Sequence, residues 1–120
     1  MNMKSFVTVA ALLTLLAAGT AWAQSSDEEN FQAMAAALRS NDAERQSAID
    51  TCIAQGIGEN PIGAAEFMGV TVENAAKAWC MRTTNGIADG KLSLADLIGL
   101  NSGEVSANAE AVLKTPAYGE

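Results

Sequence analysis

The chain has 120 residues, with 7 Lys and Arg, 14 Asp and Glu, and no His. A net charge of −7 opposes binding to nucleic acid, whose phosphates must be neutralised by Lys and Arg, and docking on anionic lipid; it favours a cationic partner. The lack of His excludes Ser-His-Asp and Cys-His catalysis, His zinc sites and His-based pH sensing.

The first residues form a three-part leader. MNMK supplies one positive charge at Lys4, Phe6 to Gly19 is an unbroken apolar run, and Ala21-Trp22-Ala23 places small residues at a cleavage site. This is the pattern of a secretory signal peptide over 1–23. The run is shorter than the ~20 apolar residues a membrane span needs, and no Cys follows it for a lipid anchor. The expected product is a single exported domain, 24–120, periplasmic or secreted, with no membrane insertion after cleavage. Loss of Lys4 leaves six basic residues against 14 acidic ones, a net charge of −8.

Cys52 and Cys80 are the only cysteines. In an oxidising compartment they are expected to pair, and a domain of this size gains from such a staple because it buries only a modest fraction of its surface. Their spacing is not C-x-x-C, so redox catalysis is not indicated.

Taken in chain order, the exported segment reads as helices. Ser26 and Glu29 have capping-box spacing, and Phe31, Met34, Ala35 and Leu38 share a helical face. Asn41 with Glu44 marks a second cap, followed by Ala48, Ile49, Cys52 and Ile53; whether 27–55 is one bent helix or two stays open. Gln55–Gly58 ends this stretch. Asn60-Pro61 starts a short helix that stops near Gly69. Thr71 caps the next, with a buried stripe of Val72, Ala75, Ala76, Trp79 and Cys80, ending at Asn85-Gly86. Ser93 and Asp96 open a helix carrying Leu94, Leu97 and Ile98. Val105, Ala109, Val112 and Leu113 mark a last helix before Pro116, and the tail TPAYGE is expected to fray. No segment alternates with period two. The fold expected is all-α, a small bundle of about five short helices stapled by the Cys52–Cys80 disulfide.

Three stretches raise chemistry. GIGENPIG, Gly56 to Gly63, has a G-x-G, but Pro61 stands where a nucleotide fingerprint needs Gly and no strand precedes it, so it reads as a loop and a helix start. Glu66, beside Phe67 and Met68, is the one acid with conspicuously apolar sequence neighbours, as a carboxylate hydrolase would need for an acid of raised pKa. NGIADGKLSLAD, 85–96, resembles an EF-hand calcium loop, which places ligands at positions 1, 3, 5, 7, 9 and 12 and Gly at 6. On that resemblance Asn85, Asp89, Lys91 (by its carbonyl), Ser93 and Asp96 are the calcium ligands. Ile87 at position 3 has no ligating atom, Asn85 lacks charge and Asp96 is shorter than the usual Glu. Caps and a turn account for the same residues: Asn85-Gly86 as a helix end, Asp89-Gly90 as a turn, Ser93 and Asp96 as a cap. No catalytic residue, cofactor or metal is therefore assigned. The expected function is that of a small exported, non-enzymatic binding protein of the bacterial envelope, of the stress-chaperone, inhibitor or immunity type, with a calcium-stabilised module and a carboxylate hydrolase as alternatives.

Overall fold

The computed structural model describes residues 26–120; the leader reading falls on 1–23, outside them. The chain divides into two units between residues 32 and 33. Of the first, residues 26–32 are described and are helical, with Phe31 buried. Ser26 is already within the helix rather than capping it.

The described residues hold six helices and no strand. Helix α1 runs to residue 40. It is followed by α2 (Asp42–Gln55), α3 (Pro61–Met68), α4 (Val72–Ala88), α5 (Leu94–Ser102) and α6 (Ala107–Lys114). The architecture is all-α, as expected, with one helix more than the five or so anticipated.

Local chemistry explains most boundaries. Residues 27–55 form two helices because Asn41 leaves the helical region (φ −141°, ψ 103°) and its side chain accepts the Glu44 N–H, supplying one of the donors that a helix start leaves unpaired. Pro61 opens α3 behind the Asn60 cap, and Gly69 closes it in a left-handed conformation (φ 76°) that only glycine adopts cheaply. Thr71 precedes α4, yet its side chain makes no capping bond.

Helix α4 is the hub, packed against α2, α3 and α6. Its stripe is built from small residues: Ala75, Ala78, Cys80 and Ala88 are all buried. Ala65 and Met68 of α3 and Leu113 of α6 complete the central cluster, with Phe67 and Trp79 packed on it. Burying Leu113 alone stabilises by about 1.5–3 kcal/mol. The Cys52–Cys80 disulfide ties α2 to α4, Cα to Cα 5.7 Å.

Further sequence expectations are corrected. Helix α4 does not stop at Asn85-Gly86 but continues to Ala88. A Cβ at Gly86 would lie 2.9 Å from Leu92 Cδ1 and from Val112 Cγ1, so this glycine serves close packing within a helix rather than ending one. The apolar faces are narrower than the periodicity implied: Met34, Ile53, Val72, Ile98 and Val105 are exposed. Val105 precedes α6, and on α5 the buried residue is Asp96. Finally, the TPAYGE segment is held to the bundle rather than frayed, through Glu120.

Candidate functional site: a groove walled by α2, α4, α6 and residues 115–119

A groove of about 800 Å³ lies between α2, α4, α6 and the segment 115–119. Ile49 of α2, Gly86 of α4 and Val112 of α6 form its apolar lining, and Asp42, Asp89 and Lys91 bring charge of both signs to it. Tyr118, fully exposed, stands on the 115–119 side. Gly86 lets Leu92 and Val112 pack directly against α4 at the edge of this space, since a Cβ there would meet both. A second hollow of about 520 Å³ is lined by residues of α1 and α2, including Met34, Leu38 and Cys52.

Arginines fix the groove walls. Arg45 on α2 donates through Nε to the Leu38 carbonyl (3.1 Å) and through Nη1 to Asn85 Oδ1 (3.1 Å), bolting the end of α1 and the side of α4 to α2. Arg39 Nε donates to the Ala88 carbonyl (2.8 Å) at the end of α4, where a cation complements the helix dipole.

Arg82 is buried at 4% exposure. Its Nη1 donates to the Leu113 carbonyl (2.6 Å) and the Met68 carbonyl (3.2 Å), the last turns of α6 and α3. Its Nε and Nη2 hold the Glu120 carboxylate (2.9 and 2.7 Å). These bonds, together with burial, decide the Glu120 titration: the Arg82 hydrogen bonds lower its pKa most, burial works against them, and the Ala117 N–H adds to the lowering. Neither Arg82 nor Glu120 emerged from the sequence reading. A signal existed: Arg82 sits three residues after Trp79 and seven after Ala75, on the buried stripe, where a charge demands a partner.

The residues that resemble a calcium loop are not one loop. Asn85 lies within α4, its Oδ1 accepting from Arg45. Asp89 and Lys91 are exposed in the turn that follows. Ser93 and Asp96 form the expected reciprocal capping box of α5, and the other Asp96 oxygen accepts the Ser106 hydroxyl (2.7 Å) that caps α6. The Asp96 pKa is lowered, first by the Ser93 backbone N–H and then by Ser106. Among the described residues, no group of three or more Asp, Glu, Cys or His is placed to hold a metal ion. Glu66 is exposed on α3, outside both hollows. No described helix is long and apolar enough to cross a membrane.

No protein-family model matches the chain, and no curated protein or solved structure is significantly similar to it.

Proposed function

We propose that the protein is a small exported binding protein of the bacterial envelope, without catalysis, which takes a segment of a protein partner in the groove between α2, α4, α6 and residues 115–119. The observation that carries this reading is the groove: an opening of about 800 Å³ lined about equally by apolar groups and by polar groups that include charges of both signs, and polar groups placed in a concave site are what orient a ligand there. The leader at 1–23 and the paired cysteines support export to the periplasm or the medium. The net charge of the chain favours a partner of net positive charge.

The test is affinity capture from envelope extract of the oxidised protein lacking 1–23, with mass spectrometry of the retained material, run in parallel with Ala111→Trp. Ala111 is an exposed residue of α6 in the groove lining, so tryptophan fills the groove without entering the core. A stoichiometric partner retained by the wild type and lost from the variant is expected. Equal retention by both would remove the groove from the account.

A further inference from the structure

We infer that residues 116–120 form an acid-released strap: protonation of Glu120 detaches it from Arg82 and opens one wall of the groove. The inference concerns the wall itself and holds whatever the groove binds.

The strap has a single polar anchor. Among the described residues, the hydrogen bonds joining 116–120 to the helices are those between Glu120 and Arg82. Its other bonds are internal: the Ala117 N–H donates to Glu120 Oε2, and the Glu120 N–H to the Ala117 carbonyl. These close a small turn but do not attach it to anything. Tyr118 adds no packing, being fully exposed. Ala117 is half-buried and Gly119 lies beside Met81, so the segment also packs, but one carboxylate is its only polar fastening to the helices among the described residues.

Arg82 does not need the strap to stay in place. Its Nη1 is held by the Leu113 and Met68 carbonyls, which do not titrate. Loss of Glu120 therefore leaves the junction of α3, α4 and α6 intact and frees the strap alone. A hinge is present where it leaves the bundle: Thr115, in extended conformation (φ −110°, ψ 124°), closes α6, and Pro116 cannot extend the helix.

The charges around Glu120 set the direction of the switch. From α4 it faces Arg82 and, more distantly, Lys77, both of which favour the ionised carboxylate. On α6, Lys114 is paired with Glu110 at 3.1 Å and lies over the Phe67 ring of α3. On α3 the acid is Glu66, which is exposed. In the groove lining, Asp42 and Arg45 of α2, and Asp89 and Lys91 after α4, are of opposite sign in pairs. With the Glu120 pKa depressed, the strap stays closed through the ordinary glutamate range and opens only in stronger acid.

Nuclear magnetic resonance of the full domain tests this, with the Glu120 carboxyl carbon and the backbone order of 116–120 followed from pH 7 to pH 2.5 in the wild type and in Glu120→Gln. In the wild type the order parameters of Tyr118 and Gly119 should fall from about 0.85 to below about 0.6, at the pH where Glu120 titrates, while α3, α4 and α6 keep their order. In Glu120→Gln the strap should be loose already at pH 7. The inference is overturned if the strap stays rigid in the variant, if it stays rigid in the wild type after Glu120 has titrated, or if strap and helices lose order in one transition.

Discussion

The Arg82 guanidinium, 3% exposed, holds the Glu120 carboxylate at 2.7 Å across 38 residues of sequence. The pair joins the segment after α6 to the middle of the hub helix. It does so at a point where Arg82 also gathers the ends of α3 and α6. Fold and groove therefore share one side chain.

Removing that side chain should be costly. Arg82→Ala leaves two buried carbonyls and a carboxylate without their donor, and a loss of about 3–5 kcal/mol is expected. Glu120→Gln keeps the shape, and Glu120 is partly exposed, so about 1–2 kcal/mol is expected. The pH dependence follows from the sign of the shift. The folded pKa of Glu120 is lowered, so its contribution is full above the unfolded pKa and is lost as pH falls through the folded one. Urea melts should show the gap between wild type and Glu120→Gln at pH 7 and its closure in strong acid.

Gly86→Ala should destabilise, although glycine to alanine inside a helix normally gains about 1 kcal/mol. The new methyl would meet Leu92 and Val112 at 2.9 Å, and overpacking of this kind costs about 1–3 kcal/mol. A lower Tm for the variant is expected; a higher one would show that α4 and α6 are not packed as described.

Reduction of the disulfide, or Cys52→Ala with Cys80→Ala, should cost about 2–4 kcal/mol, since the cross-link closes a separation of 28 residues. At about 4–8 °C per kcal/mol in a domain this small, the loss is easily read by thermal melting in the presence and absence of reductant.

Much of this architecture was legible in the chain. Asn41, Asn60, Ser93 and Ser106 cap their helices through the side chain, and three of these starts were readable because a capping residue followed by a helical pattern is a local signal. The cysteine pair was readable from compartment and count. What escaped was non-local. Asn85-Gly86 has the composition of a helix end, and only the approach of Leu92 and Val112 explains why α4 runs through it. Ile98 has the spacing of a core residue yet faces outward, because the neighbouring Asp96 is drawn inward by Ser106. Glu120 looked like part of a loose tail because its partner lies 38 residues away. The groove, formed by three helices and that tail, has no sequence signature.

Asp96 gives a test of the calcium resemblance. Both its oxygens are committed to Ser93 and Ser106, so millimolar calcium should leave Tm unchanged, whereas Asp96→Asn should cost about 1 kcal/mol as the cap weakens. The Asp96 pKa is lowered, so this contribution too is present above the unfolded pKa and fades in acid. A calcium-dependent rise in Tm, on the order of 10 °C at a hundredfold excess over Kd, would contradict the assignment of this carboxylate.

The most direct measurement is the affinity of the captured partner, once purified, for wild type and Ala111→Trp, titrated side by side at neutral pH. The groove account expects binding at least tenfold weaker in the variant, about 1.4 kcal/mol, with the fold unchanged by circular dichroism. Equal affinities for the two proteins would place the partner elsewhere on the surface and contradict the account.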